Sequence, residues 1–398
     1  MTDQLAKTEM VVLQGTPFCN MNCSYCDLSA ESRAQRTRMP PGMIERVFRD
    51  IFANGWYAPK LSVVWHSGEP LTLPPDYYQQ AIDLILRLRD ELAPGQVTLE
   101  FDFQTNAVLI SDAWIAFFKA HKHHMRLGIS CDGPDSLHDA FRVNLGGRAT
   151  HKKVSQAMQA LSDKDIPFKV IAVVTDRTLE DPDGFFDFFA ERSEQLSGFH
   201  FNILADAALA GQEGLTYSRA DRDRYYDFYR HLLLRARTHT EAGGALRIQN
   251  FTQALARIID PDADPVAQAS RPLRTLNVDA LGFVTTFYAG LERTAFAEYY
   301  EDINGLALGN IMRSSLQQMI ETRKFRAMVA DFTRSQTGCR AACDYYNTCS
   351  GGFELSQLAE HQRPDGGETT ECAIIVKTLV DAILDDVSDQ ARSRLGVA

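Results

Sequence analysis

The stretch Met10-Val11-Val12-Leu13-Gln14-Gly15-Thr16-Pro17-Phe18-Cys19-Asn20-Met21-Asn22-Cys23-Ser24-Tyr25-Cys26 joins an apolar run to three cysteines spaced C-x3-C-x2-C. The run reads as a strand covered on both faces, and the cysteines fall in the loop that follows it. Cysteine thiolates hold [4Fe-4S] clusters, which carry four irons. Three ligands on one tight loop leave the fourth iron open to a small molecule. The competing reading is half of a zinc site, but zinc motifs favour paired C-x2-4-C units joined by a second pair or by histidines.

A chain of 398 residues, 45% apolar and 23% charged, is long enough for one large barrel plus an appended domain. It holds no apolar stretch near 18 residues and no charged-then-apolar leader, so neither a membrane span nor a signal peptide is expected and a cytoplasmic location is. Eight cysteines, clustered rather than scattered, read as metal ligands in a reducing compartment and not as disulfides. The net charge of -11 argues against a nucleic-acid partner, which would call for clustered Lys and Arg. A neutral or basic peptide is the better electrostatic match.

Working outward, residues 10 to about 240 alternate β-rich runs with helical patterns, the mark of βα units around a parallel sheet. Six strands are expected: Met10 to Thr16, Leu61 to His66, Val97 to Asn106, Met125 to Ser130, Phe168 to Thr175 and Gly198 to Leu204. A helix is expected over Tyr77 to Leu92, where Ala81, Ile85, Leu88 and Leu92 keep an apolar stripe. Six units imply an α/β fold, a partial (β/α)6 TIM-type barrel, with ligands at the carboxyl ends of the strands. The rhythm then changes. A connecting helix is expected over Arg247 to Ile258, an exposed connection over Asp260 to Pro272, and a hairpin around Asp279-Ala280-Leu281-Gly282. A helix over Ser314 to Val329, a cysteine-rich stretch and a final amphipathic helix over Ala373 to Val387 complete the chain. The expected domains are residues 1–240 (barrel), 241–335 (connecting helix and hairpin) and 336–398 (a small cysteine-rich α+β domain).

Several strand ends carry polar motifs. The second ends in Ser67-Gly68-Glu69-Pro70, the third in Gln104-Thr105-Asn106, and the fourth in Ser130-Cys131-Asp132-Gly133-Pro134 with Arg142 twelve residues after Ser130. With the cysteine loop and its Tyr25, this set resembles the radical S-adenosylmethionine (radical SAM) superfamily. Its members reduce the cofactor to a 5'-deoxyadenosyl radical that takes hydrogen from substrate. The resemblance implies that Cys19, Cys23 and Cys26 ligate the [4Fe-4S] cluster and that S-adenosylmethionine binds its open iron. Ser67, Gly68 and Glu69 would stand in place of the family's Gly-Gly-Glu-Pro segment, which receives the methionine ammonium. Ser130 would bond the ribose, Arg142 the methionine carboxylate through its paired donors, and Leu204 would pack near the adenine. Cys131, outside both cysteine groups, reads as a buried small hydrophobe. The run His121-Lys122-His123-His124 reads as a solvated loop rather than a metal site.

A second group, Cys339, Cys343, Cys349 and Cys372, resembles the C-terminal SPASM/twitch-like domain of peptide-modifying radical enzymes, and its four thiolates would close one auxiliary [4Fe-4S] cluster. Four cysteines also suit a structural zinc. Ligands of a further, inner cluster are missing: Phe353 and Phe287 occupy their places, and no cysteine lies between residues 132 and 338. Tyr288 stands where sulfatase maturases carry the aspartate base, and a phenol titrating near 10 is a poor base. The catalytic base is therefore unassigned. The chain looks most like maturases of ribosomally made peptides, including cyclophane-forming ones, which implies an oxidoreductase that cross-links a precursor peptide and draws electrons from a flavodoxin or ferredoxin. Formylglycine formation of the anaerobic sulfatase-maturase kind and a small-molecule cofactor-biosynthesis dehydrogenase are the alternatives.

Overall fold

The structure, a computed structural model, describes residues 5–204, 221–260, 271–286, 293–349 and 351–395. Its strands are β1 (Thr8–Leu13), β2 (Tyr57–Trp65), β3 (Thr98–Thr105), β4 (Met125–Ser130), β5 (Phe168–Val174), β6 (Leu196–Ile203), β7 (Thr275–Val278), β8 (Phe283–Thr285) and β9 (Gly309–Asn310). The expected α/β class holds, and each of the six expected strands is present to within a few residues at its ends. Two compact units divide the residues, and neither is one continuous segment. The first takes Met1–Ser130, Arg142–Pro167 and Gln268–Ala330; the second takes Cys131–Phe141, Phe168–Ala267 and Asp331–Ala398.

In the first unit β1 lies between β2 and β7, and β2, β3 and β4 follow one another, all parallel. The hairpin read around Asp279 is there, with β7 antiparallel to β8 and β8 to β9. The helix Pro41–Ala53 starts on a proline at its first turn and buries Met43, Ile44, Val47, Phe48, Ile51 and Phe52 at helical spacing. It packs on the helix Pro75–Leu92. Behind β2 and β3 sits an aromatic cluster: ring centroids lie 5.0 Å apart for Trp65 and Tyr78, 4.8 Å for Tyr78 and Phe103, and 5.6 Å for Phe103 and Phe118. Burying each such ring contributes about 1.5–3 kcal/mol. This layer holds the carboxyl ends of β2 and β3 in place.

In the second unit β5 and β6 are parallel, and β6 meets the helix Gln249–Ile259 through Asn250, whose Oδ1 accepts from Phe201 N (3.0 Å) and whose Nδ2 donates to Phe201 O (2.8 Å). Phe189 packs on Phe199 at 4.2 Å. The helices Arg222–Glu241 and Leu379–Leu395 run side by side along a rail of charge. Arg222 meets Asp381 at 2.7 Å, Tyr226 Oη donates to Asp385 at 2.6 Å, Arg230 meets Asp389, and Arg237 Nη1 reaches both oxygens of Asp386 at 2.9 Å. The first three pairs advance four residues at a time on both helices, the spacing of one helix face, and Arg237 with Asp386 adds a fourth outside that step.

Two expected helices differ. Ser314 to Val329 is two helices, Leu316–Ile320 and Arg323–Ala342, because the Thr322 hydroxyl accepts from Phe325 N at 3.1 Å and starts a new helix. The final helix begins as a π-helix, Cys372–Thr378, and continues as Leu379–Leu395. Within the expected connection Asp260 to Pro272, residues 261–270 lie outside the described residues. Among the described residues no helix is long and apolar enough to cross a membrane.

Phe103 is 1% exposed. Phe103→Ala is expected to lower stability by about 3–5 kcal/mol, the usual cost of emptying a large buried ring site. Urea unfolding followed by circular dichroism measures it, and a midpoint equal to wild type would contradict the packing described.

Candidate active site

The cysteine loop leaves β1 and is fastened from two sides. Arg33, nearly buried, donates from Nε to Leu28 O (3.0 Å) and from Nη1 to Asn22 Oδ1 (3.0 Å) and Met21 O (3.4 Å), while its own carbonyl accepts from Cys19 N at 3.1 Å. Asn22 N donates to Val143 O at 2.8 Å, and Met21 pairs with Asn144 as an isolated bridge, so the loop is also tied to the segment that begins at Arg142. Arg142 is buried, not the solvated charge an isolated arginine suggests. Its guanidinium lies 5.2 Å from the centroid of the buried Tyr25 ring, the residue preceding Cys26.

The loop after β2 is built around Glu69, 1% exposed. Its Oε1 accepts from Leu71 N (2.9 Å) and Thr105 Oγ1 (2.7 Å), and its Oε2 from Asn106 N (2.8 Å). Three of a carboxylate's roughly four acceptor sites are thus filled by protein. Asn106 continues inward: its Nδ2 donates to Asn20 Oδ1 at 2.8 Å and lies 3.9 Å from Cys19 Sγ. Gly68 has φ +88°, and a Cβ there would lie 2.3 Å from Thr16 O, so only glycine fits. Ser67 has φ +67°, a conformation glycine takes more easily, and it is held there by His66, whose Nδ1 accepts from Ser67 N at 2.5 Å. Burial pulls the His66 ring down to about 4, so the imidazole is neutral and keeps that acceptor. At the end of β4, Ser130 Oγ accepts from Gln104 Nε2 at 3.0 Å, and Gly128 clears the path, since a Cβ on it would lie 2.1 Å from Gln104 Oε1.

The thiols match a cluster's donor set. Burial, with the Glu69 charge second, pushes Cys19 up to about 12. Burial also raises Cys26, against the opposing effects of Leu28 N, Arg33 and Arg142. These are neutral thiols in the bare protein, and metal binding would displace their protons. Among the described residues no three His, Cys, Asp or Glu side chains converge as ligands of a single ion do. A cubane instead spreads its ligands over separate irons. Beside Ser67 a cavity of about 310 Å³ opens, lined by Gln14, Glu31, Asn277, Asp279 and Arg293 among others, and it is of ligand size.

In the second unit, Cys339, Cys343, Cys349 and Cys372 line one cavity of about 120 Å³ with Phe353, Gln357, Glu368 and Lys377. Gln357 Nε2 donates to Cys339 Sγ at 3.5 Å. Burial pushes Cys349 up to about 11 and Cys372 up to about 12. Four thiols on one enclosed space fit a four-thiolate centre. Phe353 is part of this wall, while Phe287 and Tyr288 lie outside the described residues. Leu204, just past β6, belongs to this unit and Cys131 is fully buried, as read. His121 departs from the solvated reading: it is nearly buried, 3.1 Å from His124 and 2.7 Å from Gln79 Oε1. Sequence reading missed Arg33 and His66, and it missed Thr105 and Asn106 as the clamp on Glu69. Only a glycine-like position held by serine next to a histidine could have pointed to one of them.

Residues 13–189 match the model of the Radical SAM superfamily. The uncharacterized protein sll1766 of Synechocystis sp. is 29% identical over 95% of this chain and 91% of its own length. The serine-type anaerobic sulfatase-maturating enzyme of Bacteroides thetaiotaomicron is 31% identical over 44% of this chain, and the match spans 41% of that enzyme. Among solved structures, native anSMEcpe with bound AdoMet and Cp18Cys peptide gives a TM-score of 0.76 at 18% identity, covering 96% of this chain and 99% of that one. Streptococcus suis SuiB bound to precursor peptide SuiA gives 0.63 at 16% identity, covering 93% and 77%. The likenesses to solved structures show the fold alone, an α/β fold with parallel strands.

Burial raises the Glu69 carboxyl from about 4.5 to about 7. The folded protein therefore holds this proton more tightly than the unfolded chain, and the stability it contributes is full below about 4.5 and lost as pH rises through about 7. The stability of cluster-free wild type relative to Glu69→Gln should accordingly decline across that window, as urea unfolding at a series of pH values would show. A difference flat with pH would contradict it.

Proposed function

We propose that this radical SAM enzyme takes hydrogen from a residue of a ribosomally made precursor peptide and closes a cross-link, of the cyclophane carbon–carbon type. The observation that carries the reading is the ligand-sized cavity opening directly beside Ser67, in the same unit as the cysteine loop. A cofactor held by that loop would face a space of substrate size.

When bound, the [4Fe-4S] cluster and S-adenosylmethionine supply a 5'-deoxyadenosyl radical that abstracts hydrogen. The chain's own residues bind and orient. Cys19, Cys23 and Cys26 are the thiolate donors, and Arg142 lies over the ring of Tyr25, the residue before Cys26. Arg142 offers paired donors to a carboxylate, Ser130 a hydroxyl already oriented by Gln104, and Ser67 and Gly68 a loop close to the cavity. Leu204 is assigned to the adenine. Because Glu69 spends most of its acceptor capacity on Leu71, Thr105 and Asn106, it shapes the methionine loop and offers one remaining lone-pair site to an ammonium. The second cysteine group is assigned an auxiliary [4Fe-4S] cluster. Two hydrogens leave the peptide, one as an atom and one as a proton whose electron the auxiliary cluster would accept. A flavodoxin or ferredoxin in a reducing cytoplasm is the assigned electron source, and the divisions 1–240, 241–335 and 336–398 are the assigned functional segments.

The 31% identity to a serine-type sulfatase-maturating enzyme favours a second reading, formylglycine formation. Tyr288 in place of an acidic base and the empty inner-cluster positions support the cross-link instead.

Both readings remove about 2 Da from the peptide, the mass of two hydrogens, so fragmentation decides. A cross-linked product should resist backbone cleavage between the joined residues and ignore hydrazine reagents. A linear, hydrazine-reactive product would favour formylglycine. Reconstituted protein should hold about eight irons, as two [4Fe-4S] clusters require. Cys23→Ala should abolish 5'-deoxyadenosine formation under dithionite while the circular dichroism spectrum is retained, and undiminished cleavage would refute the ligand assignment.

A further inference from the structure

The final helix opens in an unusual register. Cys372–Thr378 is a π-helix, in which residues i and i+5 are bonded one turn apart, and π turns are rare and concentrate at functional sites. Here the register stacks Lys377 one turn beyond Cys372. Both line the cavity shared with Cys339, Cys343 and Cys349. The ammonium is fixed in place: Lys377 Nζ lies 2.5 Å from Glu368 Oε2 and 5.2 Å from the centroid of the Tyr345 ring, and Tyr345 Oη donates to Asp381 at 2.5 Å. The Lys377 side chain is 20% exposed, so water screens it only in part.

One further charged residue, Glu368, lines the cavity, and two more act on its cysteines from outside that lining. Glu368 pairs with Lys377, and Arg257 acts on Cys349. Glu354 is fully enclosed, and burial pushes its carboxyl up to about 8, which leaves it largely protonated at neutral pH. Lys377 is thus a positive charge on the wall of the four-cysteine cavity, held there by its pair with Glu368.

We propose that Lys377 is a positioning residue that tunes the auxiliary cluster, its ammonium raising the reduction potential of a [4Fe-4S] centre bound by Cys339, Cys343, Cys349 and Cys372. This rests on the reading that those cysteines hold iron–sulfur rather than zinc. Reduction adds one electron to a centre already negative from its four thiolates, and no bond forms or breaks. Net charge near a cluster is a principal determinant of its potential. A nearby cation favours the reduced form, and a paired carboxylate moderates that effect.

The test is an EPR-monitored redox titration of the reconstituted holoenzyme, with signals assigned through the Cys23→Ala variant, which keeps only the second cluster. Lys377→Met should lower the reduced-to-oxidised ratio of the second cluster about tenfold at any fixed potential, equivalent to about 59 mV for a one-electron couple. The first cluster should not move. Lys377→Arg should stay within about twofold of wild type, and Glu368→Gln should shift the ratio the opposite way. An unmoved second cluster in Lys377→Met at about eight irons per chain would overturn the proposal. Should Lys377→Met fail to load the cluster, Glu368→Gln decides, and no rise in that variant overturns it. About four irons with bound zinc in wild type would instead overturn the underlying cluster assignment.

Discussion

Glu69 draws hydrogen bonds from Leu71, Thr105 and Asn106, and in doing so ties the loop after β2 to the end of β3. Asn106 then passes the constraint to Asn20 in the cysteine loop. Removing a buried carboxylate of this kind leaves several donors unsatisfied at once, each at a cost of roughly 1–3 kcal/mol. Three of the segments assigned to the cofactor share this one anchor, and their relative positions follow from backbone and carboxylate geometry.

The same compactness governs the ionisation of the cysteines. Cys19 and Cys26 are buried enough that their thiols resist ionisation, and two guanidiniums, Arg33 and Arg142, stand ready to favour the thiolate at Cys26. Iron would supply the remaining positive charge. The Arg142 guanidinium lies over the Tyr25 ring, 5.2 Å from its centroid, next to Cys26 in the chain.

Much of this was legible in the sequence, and the reason is spacing. Cysteines three and four apart on a loop, a Gly-Glu-Pro after an apolar run, and an arginine twelve residues beyond a strand-end serine are local patterns that survive without knowledge of the fold. Arg33 was not legible, because a lone arginine seven residues past Cys26 looks like any surface charge until its three carbonyl and amide partners are seen. Thr322 ended one helix and started another through a single side-chain hydrogen bond, which periodicity cannot register. The π register at Cys372 was hidden for a related reason: it differs from an α-helix by one residue per turn, and an apolar stripe this short reads the same in both.

The charged rail between the helices Arg222–Glu241 and Leu379–Leu395 has a consequence for the second cysteine group. Cys372 begins the rod that the rail fastens, with Asp381, Asp385, Asp386 and Asp389 gripped further along it. The cysteine's place is thus set by leverage from contacts one to several turns away, mostly at the surface where dissolved ions compete for them. Ionic strength becomes a handle on this cysteine group: concentrated salt would loosen the rod without touching a thiol, and any metal held there would then be stripped by chelators faster than one held by the first group, whose loop is fastened by buried hydrogen bonds.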